Sequence, residues 1–167
     1  IAAVHSRVLD EGGSKEWADA VTTALGLTLG KLSQSNSTQT RWKLDSRSGV
    51  GSPEGAFGRN DLPMSWDFVE PNIFGRAGKS WLQSAEILFD AFPLVPPDGV
   101  GRTALADARV SRTEPGSLVA TDPPYFDAIS YADLSDYFYI WHRRAPKDVF
   151  PDLYGTIAAP KTNELTA

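Results

Sequence analysis

Residues 117–144 read SLVATDPPYFDAISYADLSDYFYIWHRR, and the reading of the fold turns on this stretch. It opens on a short apolar run, Ser117 to Thr121, of the kind that forms a strand buried in a parallel sheet. The run stops at Asp122, and each of the two prolines that follow fixes φ at about −65° and removes a backbone donor. Asp122 and the carbonyl of Pro123 are thereby held as acceptors, with the flat ring of Tyr125 beside them. In open α/β sheets ligands bind outside the carboxyl ends of the strands, so Asp122, Pro123, Pro124 and Tyr125 occupy a reactive position by topology. An acceptor pair next to a stacking surface suits a planar ring that carries an amine. The alternative is a simple strand-to-turn junction, because Asp before Pro is a common turn initiator.

Downstream, a helix is expected from about Asp133, with Leu134, Tyr137, Phe138 and Trp141 on one face. Arg143, Arg144 and Lys147 close it where basic charge is favourable, and Asp127, Asp133 and Asp136 flank its N-terminal end. His142 reads as a half-buried helix residue rather than a base. Beyond Pro151 a frayed tail is expected. Upstream of the motif, Arg102 to Ala108 is expected as a second short strand, joined to SLVAT by SRTEPG.

Two further helices are expected in the first half. Trp17, Val21, Leu25, Leu29 and Leu32 recur at spacings of three and four from Ser14 to about Ser33, with Ser14 as cap. Gly26 and Gly30 weaken this helix by about 1 kcal/mol each, and close packing is the ordinary reason to find them there. Lys79 to Phe92 presents Trp81, Ala85, Leu88, Phe89 and Phe92 on one face. Between the helices, Gln34 to Asp61 is rich in Ser, Gly and Asn and reads as a long solvated loop, functional or mobile. Trp66, Phe68, Ile73 and Phe74 make Leu62 to Phe74 sticky, while Pro63 and Pro71 forbid a regular helix. The organisation that follows is a helical and loop-rich region over 1–98, a catalytic-loop part of a sheet over 99–150 and a tail over 151–167.

Composition narrows the chemistry. The 167 residues are 41% hydrophobic and 22% charged, as in an ordinary globular domain whose apolar side chains are mostly buried. There is no cysteine, which removes disulfides, zinc ribbons and thiolate catalysis, and two histidines are too few for a histidine-rich metal site. No apolar run is long enough for a membrane span, and the first residues are too polar for a signal peptide. The net charge of −5 gives no general attraction to nucleic acid, so such a partner must be argued from local chemistry. A chain that begins at Ile1 reads as a segment of something larger.

The motif and its surroundings resemble the amino-group, adenine-specific DNA methyltransferases, which use S-adenosyl-L-methionine. DPPY after an apolar strand is their hallmark, and TDPPYFDAISYADLSDYFYIWHRR is similar to a bacterial and archaeal branch in which the motif runs on into an aromatic helix. The segments QTRWKL, Gln39 to Leu44, and WDFVEPNIF, Trp66 to Phe74, resemble the same branch. A chance DPPY in a chain of this length has odds of about one in a thousand from average residue frequencies.

The resemblance implies an α/β fold with a partial Rossmann-like sheet and a helical, loop-rich insertion. It implies a cytoplasmic enzyme of restriction–modification or defence, with DNA as partner and neither metal nor membrane required. Asp122 and the Pro123 carbonyl would accept the two N–H groups of the adenine amine, Pro124 would keep the turn rigid, and Tyr125, helped by Phe126, would stack on a base flipped out of the duplex. Asp107, in ALADAR, stands where this fold often has an acid near the cofactor, although a simple loop acid explains it as well. The glycine-rich cofactor loop of the family is missing: GVGSPEGAFGR follows no apolar strand, and GVGR follows a proline-rich connector. That loop is expected upstream of Ile1. Its absence motivates a second reading, a non-catalytic nucleic-acid-binding or interaction remnant, and a third keeps the enzyme but replaces adenine by cytosine, RNA or a protein amide.

Overall fold

The computed structural model describes residues 1–44, 49, 51–58, 64–76, 78–95, 99–104, 106–110, 113–122 and 131–162. Among them the fold is mixed α and β: four helices and one small antiparallel sheet. The helices are α1 (Ala2–Asp10), α2 (Lys15–Ser35), α3 (Trp81–Ala91) and α4 (Tyr131–His142). Strands β1 (Trp42–Leu44) and β2 (Gly51–Pro53) form a hairpin with Trp42 opposite Pro53 and Leu44 opposite Gly51.

Helix α2 is the axis on which α1, α3 and α4 pack. Its start is the expected one: the Ser14 hydroxyl accepts the Trp17 amide at 3.2 Å, which satisfies one of the free N–H groups of the first turn. The buried face differs from the expected stripe. Ala18, Thr22, Ala24, Gly26, Thr28 and Leu32 are buried, while Trp17 is 62% exposed. Small side chains allow close approach on several sides of one helix, and a Leu or Trp stripe cannot. Gly30 shows the need most directly, because a Cβ there would lie 2.7 Å from His142 Nε2 on α4. At Gly26 it would meet the Pro146 ring at 3.3 Å. The expectation that most large apolar side chains are buried is therefore corrected. The described core is built from Ala, Ser and Thr with Leu32, Val69 and Tyr139, and Trp66, Phe74 and Leu94 stand in the open.

Helix α3 is capped by the Ser80 hydroxyl, which accepts the Gln83 amide, and buries Ser84 and Ala85. The Asn36 side chain just beyond α2 joins the two helices, donating to the carbonyls of Leu32 at 2.9 Å and Lys79 at 3.2 Å. Helix α1 was not foreseen. It docks through His5 Nε2, 2.7 Å from an Asp19 carboxylate oxygen.

The loop expected over Gln34 to Asp61 contains the last residues of α2 and the hairpin. Trp42 covers the bare Cα of Gly51, where a Cβ would sit 3.2 Å from the indole, and Arg41 Nε donates to Glu54 at 2.5 Å. The irregular segment 64–76 has no helix, in keeping with Pro71 at its centre, and it is fastened at two points. Val69, 3% exposed, donates its amide to the Thr40 carbonyl at 3.1 Å, and the Ile73 carbonyl accepts the Trp81 amide at 2.8 Å.

The sheet is where expectation and structure part. No strand is formed over the described residues of 102–108 or over 117–121, and Leu118 is 95% exposed. The partial Rossmann-like sheet is thus not present among the described residues; the one sheet there is the antiparallel hairpin. A short apolar segment becomes a buried strand only when neighbours supply ladder hydrogen bonds and layers cover its faces. The connector between the two segments does form its turn. The Ser117 amide bonds to the Glu114 carbonyl at 3.0 Å, with Pro115 and Gly116 at the corner and Gly116 at φ +86°, the pattern of a type II turn.

Candidate functional site around Asp122 and helix α4

Asp122 lies exposed at the end of the SLVAT segment. Pro123, Pro124, Tyr125 and Phe126, and with them Asp127, lie outside the described residues. Chain description resumes at Tyr131, the first residue of α4, two residues earlier than the sequence suggested. Helix α4 is the first described element after the motif.

Three groups of contacts hold it. On α2, the Tyr137 hydroxyl donates to the Ser33 carbonyl at 2.6 Å, a bond of the kind that contributes about 1 kcal/mol net. Against the turn after β2, Phe57 packs on Tyr137 and Phe138 with ring centres 5.2 Å and 5.0 Å away, one edge-on and one tilted. Such aromatic pairs contribute about 0.5–1.5 kcal/mol beyond their burial. Along its other side run residues 150–161, the segment expected to fray. The Tyr139 hydroxyl donates to the Thr156 carbonyl at 3.0 Å, the Ala159 amide donates to Asp136 at 2.7 Å, and Lys161 reaches Asp133 and Asp136. Polar partners offered by α4 at successive turns explain why the tail does not peel away.

His142 closes the helix as the half-buried residue foreseen. Its Nδ1 is 3.3 Å from the Tyr154 hydroxyl, while Nε2 is buried without a partner. Burial disfavours the imidazolium and pulls its pKa below the ordinary histidine value. Burial likewise raises the Tyr137 and Tyr154 phenols, so both stay protonated near neutrality. Asp133 lies in the first turn of α4 and Asp136 in the second, both inside the helix rather than flanking it, and the Lys161 and Ala159 bonds hold the Asp136 carboxyl below the usual range.

Asp107 sits in a turn of its own making. The Arg109 guanidinium donates to both carboxylate oxygens, at 2.6 Å from Nη2 and 3.0 Å from Nε, and the Arg109 amide adds a bond of 2.9 Å. These bonds lower its pKa to about 2. A cofactor hydroxyl seeking this carboxylate would have to displace the guanidinium. In the glycine-rich stretch, a Cβ on Gly51 would stand 3.2 Å from the Trp42 indole.

The segments 39–44 and 66–74 meet through the Thr40–Val69 bond. Beside the Thr40–Val69 bond, Asn36, Ser37, Thr38, Phe68, Glu70 and Ile73 line an open groove of about 270 Å³. A second cleft of about 210 Å³ lies between Gln39, Arg41, Glu54, Met64 and Ser65. Sequence reading singled out both segments without a sign that they touch, because neither carries a pairing pattern. Lys161 was missed outright, for a lone lysine 25 positions from its partner gives no local signal.

Among the described residues no group of His, Cys, Asp or Glu side chains is placed to hold a metal ion, and no helix is long and apolar enough to cross a membrane. Comparisons with protein-family models, with curated proteins and with solved structures find no match to the chain.

Proposed function

We propose that the chain carries the catalytic loop of an amino-group methyltransferase that acts on the exocyclic amine of adenine in DNA, with S-adenosyl-L-methionine as methyl donor. The observation that carries the reading is the junction itself: an apolar segment leads to an exposed Asp122 that opens the Asp-Pro-Pro-Tyr run, and the aromatic helix α4 begins at Tyr131. Supporting it, the two remote segments that share the family resemblance lie side by side through Thr40 and Val69.

The chemistry asked of these residues is modest. An aromatic amine is a weak nucleophile because its lone pair is delocalised into the ring. A carboxylate at Asp122 and the Pro123 carbonyl, each accepting one N–H, favour a pyramidal nitrogen with a localised lone pair. Positive charge develops on that nitrogen as it forms its new bond, and a fixed carboxylate stabilises the charge. Tyr125, with Phe126 alongside, contributes a stacking surface for the extruded base. The cofactor would supply an electrophilic methyl group on a sulfonium sulfur that departs as a neutral thioether, and the methylated amine would regain neutrality by giving up one N–H proton to water. The Rossmann-like sheet belongs to the same proposal, with SLVAT as one of its strands once neighbours are supplied.

The exposed, unpaired SLVAT segment and the closed Asp107 carboxylate favour a second reading, a non-catalytic nucleic-acid-binding or interaction remnant of such an enzyme. Isothermal titration with S-adenosyl-L-methionine and with single-stranded DNA separates them. With the product of the complete reading frame that encodes these residues, binding of both supports the enzyme, binding of DNA alone supports the remnant, and binding of neither overturns both. Methylation of an oligonucleotide that lacks adenine would move the substrate to cytosine.

A further inference from the structure

The Asn36 side chain is fixed by its own bonds. Its Nδ2 donates to the Leu32 carbonyl at 2.9 Å and to the Lys79 carbonyl at 3.2 Å, and because carbonyls only accept, the amide cannot be turned over. Lys79 presents that carbonyl with φ at +67°, a conformation that residues with side chains rarely adopt. The Asn36 oxygen is left buried without a hydrogen-bond partner. Native proteins leave few buried acceptors in that state, and each one calls for a donor. Asn36 borders the open groove of about 270 Å³ beside the Thr40–Val69 bond, and the rest of the lining says which donor fits. Phe68, Pro71 and Ile73 form an apolar wall, with Phe68 38% exposed. Glu70 stands exposed at the same groove and, among the described residues, makes no ion pair. No lysine or arginine is among the described residues that line it, so an anion finds no partner there. A carboxylate and an orphaned carbonyl oxygen beside an aromatic and aliphatic wall ask instead for positive charge, N–H groups and an apolar body.

We propose that this groove is a binding site for a small, flat organic cation of the amidinium type. Its N–H groups bond to the Glu70 carboxylate and the Asn36 oxygen, and its body lies on Phe68, Pro71 and Ile73. The Asn36 oxygen is shut off from bulk water, so an N–H that presses in past the groove wall gains a bond without displacing ordinary hydration. The site uses none of residues 122–125 and stands independently of the methyltransferase reading.

The test is isothermal titration with benzamidine, a flat ring that carries an amidinium, on the product of the complete reading frame that encodes these residues. Wild type is expected to bind with a Kd of about 1 mM or below. E70Q and F68A each weaken binding by roughly tenfold, and E70K abolishes it. Benzoate, an anion of the same shape, does not bind. The amidinium-type group also occurs on arginine side chains, so acetyl-arginine amide is titrated beside benzamidine and, lacking the flat body, is expected to bind roughly tenfold more weakly. In protein with isotope-labelled asparagine, the Asn36 side-chain amide signals, identified by their loss in N36S, shift as benzamidine is added. No heat at about 10 mM benzamidine, or unchanged binding in E70K, would overturn the site. Binding that leaves the Asn36 signals unmoved would overturn the groove as its seat. Equal binding of benzoate would overturn the choice of a cation, and equal binding of acetyl-arginine amide would overturn the need for a flat body.

Discussion

Gly30→Ala is a sharp test of how α4 is seated. In an open helix the change stabilises by about 1 kcal/mol, because alanine loses less backbone freedom. Here the new methyl group would stand 2.7 Å from His142 Nε2, well inside contact distance. The imidazole has little room to yield, with Nε2 buried and Nδ1 against the Tyr154 hydroxyl. Overpacking of this kind costs about 1–3 kcal/mol. The propensity gain offsets part of that, so the net expectation is a loss of up to about 2 kcal/mol, or a fall in Tm of about 2–4 °C per kcal/mol. Gly26→Ala is the internal control: its methyl group meets the Pro146 ring at 3.3 Å, and the result is expected close to neutral. Urea unfolding of wild type, Gly30→Ala, His142→Ala and the double variant then isolates the contact. With the imidazole gone, Gly30→Ala should recover its helical advantage, giving a coupling of about 1–3 kcal/mol. A stabilising Gly30→Ala in the wild-type background, or a coupling under about 0.5 kcal/mol, would refute the reasoning.

Three further outcomes follow from the same geometry. Burial lowers the His142 pKa in the folded state, so the unfolded chain binds more protons just below the ordinary histidine value. Stability is then full above about pH 6.5 and falls as the pH drops from there toward the folded value; Tm measured from pH 7 to pH 5 should show the fall, and His142→Gln should flatten it. Ser14→Ala removes the acceptor for the Trp17 amide and should cost about 1 kcal/mol in thermal unfolding, with Ser14→Asp close to wild type. On the proposed methyltransferase reading, Tyr125→Ala should weaken capture of the flipped base by about 1–3 kcal/mol in equilibrium binding, while Tyr125→Phe keeps most of it; equal damage in the two would dismiss the stacking role.

The elements that could be read from sequence are those whose signals are local. Helix α2 announces itself through Ser14 and the spacing of Trp17 to Leu32, and α4 through its aromatic face, although it begins at Tyr131 rather than Asp133. What the spacing could not tell is which face of α2 is buried. That depends on Gly30 meeting His142 and Gly26 meeting Pro146, contacts made across more than a hundred residues. Helix α1 went unread because it has no side-chain cap and is held by His5 on Asp19, and the hairpin because strands of three residues are too short to show a period and Gly51 to Pro53 is poor in strand formers. The converse error is SLVAT. Its composition is right for a buried strand, but composition cannot supply the neighbouring strands that burial requires, and Leu118 stays exposed. At the site, the Arg109 clamp on Asp107 and the reach of Lys161 to Asp133 are side-chain choices that no motif encodes.

The central claim is that Asp122 serves transfer of a methyl group to the adenine amine. It is tested most directly by expressing the complete reading frame that encodes these residues in cells free of adenine methylation, and by quantifying methylated nucleosides in their digested DNA by mass spectrometry. An acceptor that acts mainly in the transition state contributes about 3–4 kcal/mol, so Asp122→Ala should lower the methylation rate by several hundredfold while DNA affinity stays within a few-fold. The account predicts N6-methyladenine with the wild-type frame and almost none with Asp122→Ala. No methyladenine from the wild type, or the same amount from both, would contradict it.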